Sequence, residues 1–251
     1  MGKADLHIHT TFSFDGSSTV SAVLEWAANY TDLDVIAITD HDELDGALEA
    51  RERAVEFGIE VVPGIEVSTA DGHLLALFVE RPVPPGRSLL ETLLLVGEQG
   101  GLCVAAHPYA RLAHGLSGRV IRAALRDPDA AQVLVGIEAC NTGLWYLRSN
   151  HHARKLVEDV GLAQLGSSDS HLFWTIGFGY SEFAGSTAQD LRSALQAHAT
   201  TAHRSIERRA PGYYTSHIYH RALRKLGWGT WASQPNADLI WRRLSEVQLN
   251  V

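Results

Sequence analysis

The sequence Asp5-Leu6-His7-Ile8-His9-Thr10, close to the N-terminus, places two histidines two residues apart in an apolar strand-like run. Residues i and i+2 of a β-strand project from the same face, so both imidazoles point to one side. Two imidazoles in this arrangement can share one metal ion. Taken alone, the pair is equally consistent with a solvated strand face, because short motifs match by chance.

Downstream of this motif, short apolar runs alternate with helical patterns. Strands are predicted at residues 34–39, 59–67, 73–79, 102–106, 133–138 and 163–167, and helices at 43–57, 88–99, 153–160 and 187–197. Continuous apolar strands between helices predict a parallel sheet covered on both faces. Repeated β–α units in 251 residues predict an α/β barrel with its site at the strand ends. Residues 177–181 are expected to form a flexible rim loop.

The composition limits the class of protein. A hydrophobic fraction of 45% is enough for a sizeable core, and a net charge of −8 argues against general nucleic-acid coating. Cys103 and Cys140 lie in apolar runs and are expected to be buried and unpaired. The N-terminus has no apolar signal region, and no apolar run is long enough to span a membrane. We therefore expect a soluble cytoplasmic protein.

Metal-ligating side chains recur where the predicted strands begin or end. Because the strand ends of a barrel face one pocket, these residues are expected to converge. Glu66 is the most telling of them, since a carboxylate inside an apolar run needs a partner or a metal. The candidates are His7, His9, Asp15, Asp40, His41, Glu66, His73, His107, Glu138, Asp169 and His171.

The sequence resembles the PHP (polymerase and histidinol phosphatase) family. The resemblance rests on residues 5–10, on Ile38-Thr39-Asp40-His41-Asp42, on residues 64–68, on Ala106-His107-Pro108 and on residues 166–171. These blocks occur in order over about two thirds of the chain. The resemblance implies a distorted (β/α)7 barrel, similar to a TIM barrel, that holds two or three divalent ions of Mn, Zn or Fe.

The resemblance also implies a role for each ligand. His7, His9 and Asp169 are expected to hold a first metal, and Glu66 to bridge it to a second. His73 and His107 are expected to complete the second site, and Asp15, His41 and His171 to hold a third. Some family members have histidine where this chain has Asp15, which makes the third site the least constrained.

Two metals held close together can activate a bridging hydroxide and clamp a phosphate. The catalytic residues are expected to be Asp40, Glu66 and His171, with Asp40 as a ligand, a supporting partner or a proton carrier. Arg111 and Arg148 are candidates for binding phosphate, since an arginine fork matches phosphate oxygens. The alternative for both arginines is a solvated surface position.

The chain is divided into a barrel of residues 1–200 and an extension of residues 201–251. The extension is basic, contains Trp228, Trp231 and Trp241, and is expected to form short helices at residues 216–226 and 237–247. It is expected to pack on the acidic barrel, or otherwise to form a dimer contact. The chain is accordingly expected to be a monomer or a homodimer without a membrane partner.

These observations predict a metal-dependent phosphoesterase that acts on a small phosphorylated metabolite, with a nucleotide-like substrate as the leading choice. Three alternatives stay open: a histidinol-phosphate-type phosphatase, an exonuclease that trims oligonucleotides, and a non-catalytic metal-stabilised module. Nucleic acid is thus a possible but less favoured partner.

Overall fold

The two histidines of the opening motif lie on and just after the first strand of a nine-stranded sheet. The computed structural model describes residues 1–143 and 146–205. The strands are β1 (Gly2–Ile8), β2 (Val35–Ile38), β3 (Glu60–Thr69), β4 (Gly72–Leu77), β5 (Leu102–Ala105), β6 (Leu134–Asn141), β7 (Ala163–Ser167), β8 (Gly179–Phe183) and β9 (Thr201–Arg204). The seven α-helices of the described residues are α1 (Val20–Tyr30), α2 (Asp45–Phe57), α3 (Leu89–Gly97), α4 (Gly118–Ala124), α5 (Pro128–Val133), α6 (Leu147–Val160) and α7 (Ala188–Gln196).

The sheet has the strand order β7-β6-β5-β4-β3-β2-β1-β8-β9 and mixes parallel with antiparallel pairs. The pairs β1–β2, β2–β3, β5–β6 and β6–β7 are parallel, whereas β3–β4, β4–β5, β1–β8 and β8–β9 are antiparallel. The prediction of an all-parallel sheet is therefore wrong. Only residues 70 and 71 separate β3 from β4, which is too short for a crossover, so these strands form a hairpin.

The two ends of the sheet approach each other and nearly close a barrel. The backbone N–H of Gly166 in β7 donates to Ser181 Oγ in β8 at 3.0 Å, and this hydroxyl donates to the Gly166 carbonyl at 2.9 Å. A Cβ at Gly166 would lie 2.2 Å from the Tyr180 carbonyl oxygen, so this close approach requires glycine. The predicted α/β barrel-type fold is confirmed.

The expected rim loop at residues 177–181 is wrong, because residues 179–183 form β8. This strand pairs with β1 on one side and β9 on the other. The ring of Tyr180 stacks on His203 of β9, with ring centroids 5.3 Å apart. Two glycines and a serine in this run obscured the strand pattern in the sequence. The sheet thus continues through Arg204, and residues 206–251, which hold most of the predicted extension, lie outside the described residues.

Alternation along the strands gives the sheet two apolar faces. Ile36 and Ile38 of β2 belong to a cluster shared with α1 to α6, whereas Val35 and Ala37 belong to a second cluster that includes Leu191 of α7. Successive side chains of a strand point to opposite faces, so α7 covers the face opposite to the other helices. Glu66 of β3 shares that second face, because its neighbours in sequence lie in the first cluster.

The helix boundaries follow from local capping. Ser88 and Glu91 form a capping box at the start of α3, and Thr187 and Asp190 form another at the start of α7. The predicted end of α2 is confirmed, since Gly58 has a φ of 71° and closes that helix in the left-handed conformation.

Both cysteines are buried and free, as predicted. Within residues 1–143 and 146–205, no helix combines the length and the apolar character needed to cross a membrane.

Candidate metal centre

Nine His, Asp and Glu side chains meet at one end of the barrel. They come from strands or from the loops that follow strands, except that β4 contributes from its beginning because it runs antiparallel to β3. The ligand atoms form overlapping groups in which every atom lies within 4.8 Å of the others in its group. The structure brings together all nine predicted ligands: His7, His9, Asp15, His41, Glu66, His73, His107, Asp169 and His171.

Glu66 lies at the centre of this cluster, and its two carboxylate oxygens face different histidines. Its Oε2 lies 3.1 Å from His7 Nε2, 3.3 Å from His9 Nε2 and 3.2 Å from His41 Nδ1. On the other side, Oε1 lies close to two further ring nitrogens: 2.9 Å from His73 Nδ1 and 3.0 Å from His107 Nε2. One carboxylate thus connects two groups of imidazoles, as a bridging ligand would.

Asp169 completes the group that contains the opening motif. Its Oδ1 lies 3.3 Å from His9 Nε2 and 3.5 Å from His7 Nε2. Asp169 has a φ of 52°, and His107 has a φ of 26°. Positive φ values in residues other than glycine cost on the order of 1–3 kcal/mol and are concentrated at functional sites. The backbone is therefore strained at two of the candidate ligands.

A further group surrounds Asp15 on the loop after β1. Asp15 Oδ2 lies 3.2 Å from His171 Nε2 and 3.7 Å from His41 Nε2. His9 also belongs to this group and connects it to the first one. The arrangement matches the predicted third site and makes it continuous with the other two.

The donor set fits divalent metal ions. The nitrogens His7 Nε2, His9 Nε2 and His73 Nδ1 are buried and make no hydrogen bond of acceptable geometry, although carboxylate oxygens lie nearby. Buried polar atoms without partners are costly. Imidazole nitrogens that share carboxylates are typical ligands of Zn, Fe and Mn. Metal ions would supply the partners that these atoms lack.

Burial and mutual charges shift the pKa values of the side chains in this cluster. Burial raises the pKa of Glu66, but the surrounding histidines, led by His7, lower it well below its usual range. Burial lowers the pKa of His9 to about 4, and the charge of His171 adds to this effect. His9 is therefore neutral at pH 7, the state in which imidazole binds a metal.

Glu138, whose role the sequence left open, supports His7 from behind. Its Oε1 accepts a hydrogen bond from His7 Nδ1 at 2.8 Å and one from the Ser167 hydroxyl. Its Oε2 accepts from the His107 backbone N–H at 2.6 Å and from Asn141 Nδ2 at 2.8 Å. A carboxylate on Nδ1 fixes the tautomer that leaves Nε2 free to bind a metal.

Tyr146 is a functional candidate that the sequence analysis missed. Its hydroxyl donates to Asp169 Oδ2 at 3.1 Å, and its ring stacks on His107 with centroids 5.3 Å apart and planes 11° from parallel. It follows β6 by only a few residues, which is the one signal that could have indicated it. No charge or metal-ligand pattern marks a tyrosine in sequence.

Asp40 lies beside the cluster but serves the loop after β1. Its Oδ1 accepts from the backbone N–H groups of Thr10 at 2.6 Å and Ser13 at 3.1 Å, and its Oδ2 accepts from the Thr10 hydroxyl at 2.6 Å. Asp40 belongs to none of the ligand groups found among the described residues. Of its three predicted roles, the geometry favours a supporting partner.

The cluster opens to solvent on the side of His41, His73 and His171, whose side chains are 11–14% exposed. Beside His73 lies a groove of about 290 Å³, lined by Ser68, Thr69, Ala70, Asp71, Gly72, His73, His114 and Gly115. Arg111 and Arg148 are both exposed. Their predicted phosphate contacts stay predictions.

Comparison with known proteins identifies a family model that matches most of this chain. A family model described as the PHP domain matches residues 5–198. An uncharacterised protein of Methanocaldococcus jannaschii is 38% identical over 127 residues, which cover 47% of this chain and 74% of that protein. An error-prone DNA polymerase of Mycolicibacterium paratuberculosis is 33% identical over 162 residues, or 63% of this chain but 13% of the polymerase.

A phosphoribosyl 1,2-cyclic phosphate 1,2-diphosphodiesterase of Eggerthella lenta is 44% identical over 86 residues, which are 32% of each chain. Among solved structures, a two-domain protein of Bacteroides vulgatus containing a predicted PHP-like metal-dependent phosphoesterase has a TM-score of 0.66 at 22% identity. The match covers 80% of this chain and 64% of that one. At this level of identity the likeness concerns the fold.

Proposed function

The chain belongs to the PHP domain family, and on this basis we propose that it is a metal-dependent phosphoesterase acting on a small phosphorylated metabolite. The observation that carries the proposal is the Glu66 carboxylate, 1% exposed, with five imidazole nitrogens within 3.3 Å of its two oxygens. A phosphate that enters at the solvent-facing side would meet a dense array of metal ligands.

The proposed ligand sets are those that the family resemblance implies. His7, His9, Glu66 and Asp169 would hold one ion, Glu66 with His73 and His107 a second, and Asp15, His41 and His171 a third. Divalent ions bound there would lower the pKa of water and neutralise phosphate charge.

The chain's own residues prepare the site for these ions. Glu138 holds His7 in one tautomer, and Tyr146 holds one oxygen of Asp169 so that the other faces His7 and His9. Because these partners are fixed by further hydrogen bonds, the ligands need little rearrangement when ions bind. Glu66 and His171 act in this proposal as ligands, and Asp40 holds the loop that carries Asp15.

The size of the groove beside His73 supports a small substrate. Pockets for small molecules have volumes of about 300–1,000 Å³, and this groove, at about 290 Å³, is just below that range. A nucleotide-like ester is the leading candidate, and histidinol phosphate and oligonucleotide ends are its rivals. The relative from Eggerthella lenta is named as a diphosphodiesterase, which makes cyclic phosphates worth testing.

A hydrolysis screen tests the proposal, with phosphate release as the readout for monoesters and chromatography of the monoester product as the readout for diesters. The protein is freed of metal with a chelator, reloaded with Mn²⁺, Zn²⁺ or Fe²⁺ in turn, and assayed on monoesters, cyclic diesters and short oligonucleotides. We expect turnover of a small ester with at least one metal, and loss of bound metal and turnover together in His9→Ala. Metal binding without turnover of any ester would favour the non-catalytic module.

A further inference from the structure

Phe14 is an exposed aromatic ring at the entrance of the candidate metal centre. Phe14 is 71% exposed, although it immediately precedes the candidate ligand Asp15 in the sequence. Its ring stacks on His41, with centroids 5.1 Å apart and planes 27° from parallel. His41 in turn contacts Glu66. The position of Phe14 at the mouth of the polar cluster, rather than its exposure alone, makes it a candidate for a ligand contact, because an aromatic ring offers a flat apolar face on which another ring can stack.

The ring of Phe14 is the outermost member of a stack of rings. His171 stacks on His9 at 4.3 Å, His9 on His41 at 4.7 Å, and His41 on Phe14 at 5.1 Å, all with planes 27–29° from parallel. The inner rings belong to candidate ligands. The high exposure of Phe14 leaves the outer end of the stack open for one more planar ring.

The loop that presents Phe14 is held firmly on both sides. Asp40 accepts three hydrogen bonds from Thr10 and Ser13, and Thr11 N–H donates to the Ser18 carbonyl at 2.8 Å. A Cβ at Gly16 would lie 1.9 Å from the Thr10 carbonyl oxygen, so the two ends of the loop are in close contact. Because the loop is fixed before any ligand arrives, stacking on Phe14 requires little ordering of the protein.

Phe12, the other exposed ring of this loop, has a different environment. It is 41% exposed and lies against α2, where its ring would be 3.0 Å from a Cβ at Gly46. Phe12 therefore contributes to packing. Phe14 is directed to solvent at the site entrance.

We propose that Phe14 determines specificity by stacking on a planar aromatic ring in the leaving group of the phosphate ester, as a nucleobase would provide. The phosphate then lies in the Glu66 cluster and the base lies on the open face of Phe14, one sugar away. This inference rests on the proposed phosphoesterase function and names the substrate class of the same site. It favours a nucleoside monophosphate over a ribose phosphate without a base.

The test compares two esters that differ by the base alone, adenosine 5′-monophosphate and ribose 5-phosphate. Stacking of a base on an aromatic side chain contributes about 1–3 kcal/mol, so loss of the ring is expected to raise KM for the nucleotide on the order of ten- to a hundredfold. Phe14→Leu keeps an apolar side chain without the ring, and Phe14→Trp restores a ring. We expect the first to raise KM for the nucleotide only and the second to keep it near the wild-type value.

Leu112→Ala serves as the control, because Leu112 is a fully exposed apolar residue without a ring, in the short 3-10 helix Arg111–Ala113. Binding of both esters to the metal-loaded protein is also measured by calorimetry, which gives a readout if turnover is absent. Equal effects of Phe14→Leu on the nucleotide and the sugar phosphate, or no effect on either, would overturn the inference while leaving phosphoester hydrolysis intact. Failure of wild-type protein to hydrolyse any ester, with nucleotide binding still dependent on Phe14, would instead overturn the proposed function alone.

Discussion

Replacing Glu138 by glutamine tests how the fold prepares His7 to bind a metal. The carboxylate accepts four hydrogen bonds, so an amide nitrogen must face one pair of the present donors. If the amide nitrogen takes the place of Oε2, it faces the His107 N–H and Asn141 Nδ2, and neither of these donors can accept a hydrogen bond without moving. Turning the Asn141 amide would break its acceptance from the Gly143 N–H at 2.8 Å.

At the Oε1 position the amide nitrogen faces two groups that can adapt. The Ser167 hydroxyl can rotate and accept, and His7 Nδ1 can accept if its proton moves to Nε2. This orientation leaves fewer donors unpaired, and each unpaired buried donor costs about 1–3 kcal/mol. It also places a proton on the nitrogen that lies 3.1 Å from Glu66 Oε2 and would bind the metal. We therefore expect Glu138→Gln to disfavour the binding tautomer of His7.

Loss of such a supporting partner typically lowers metal affinity 10- to 100-fold, or by about 1.4–2.7 kcal/mol. Affinities for Zn²⁺ and Mn²⁺ are measured by competition with a chelator, and circular dichroism of the metal-free protein checks folding. Asp34→Asn is the control, because it removes a carboxylate that accepts from the Lys3 N–H at 2.8 Å, before β2 and away from the ligand groups. A Glu138→Gln protein that folds and binds every ion within twofold of wild type would refute the tautomer argument.

Three further predictions concern other parts of the structure. Tyr146→Phe keeps the ring but removes the hydroxyl that holds Asp169. Metal affinity, measured by the same competition, is expected to fall about tenfold, while the melting temperature of the metal-free protein changes little. An unchanged affinity would assign Tyr146 to packing. Burial lowers the pKa of His171, but the charge of Asp15 raises it more, to about 9. Metal binding at pH 7 must then displace this proton, so the affinity for metal is expected to rise between pH 7 and 9. Calorimetry in two buffers of different ionisation enthalpy should detect the released proton. Metal binding without proton release would contradict the proposed role of His171 as a ligand. Gly166→Ala is expected to lower the free energy of unfolding by about 3 kcal/mol or more in a denaturant titration, because the alanine Cβ would collide with the backbone of β8. A loss below 1 kcal/mol would show that β7 and β8 can move apart at this point at little cost in stability.

The ligands of the candidate centre could be predicted from the sequence because strand ends of one barrel face one place. The pairing of β2 with β3 ends at Ile38 and Pro63, and three residues further along each chain segment His41 and Glu66 form a parallel bridge, so their convergence follows from register alone. The two-residue connection between β3 and β4 indicates that β4 runs antiparallel to β3. The apolar runs alone did not reveal this direction, because they are typical of parallel strands. For β8, glycine and serine obscured the pattern, and pairing with β1 and β9 supplies what local propensity lacks.

The supporting residues could not be predicted, because hydrogen bonds between distant segments leave no periodic pattern. Tyr146 reaches Asp169 across 23 positions, and Glu138 reaches His7 across 131. The positive φ values of His107 and Asp169 are also invisible in sequence, since neither residue type demands that conformation. Strain of this kind persists only when the surrounding structure over-determines it. At His107 the backbone N–H is bound by Glu138, which shows how one buried carboxylate both holds a strained ligand and sets the tautomer of another.

The contrast between Asp15 and Asp40 shows why residue type alone does not assign a role. Both aspartates are buried and lie close to a histidine of the motif blocks. Asp40 precedes His41 in the sequence, and Asp15 lies close to His171 in space. Both carboxylate oxygens of Asp40 accept hydrogen bonds from Thr10 or Ser13. In contrast, Asp15 Oδ1 is buried without a hydrogen bond, and Asp15 Oδ2 faces His171. An oxygen whose lone pairs already accept N–H and O–H groups is a poor metal ligand, while an unsatisfied buried oxygen among imidazoles is a good one. Asp40 therefore fixes the loop that places Asp15 and Phe14, and the same loop joins the metal ligands to the ring proposed to select the substrate.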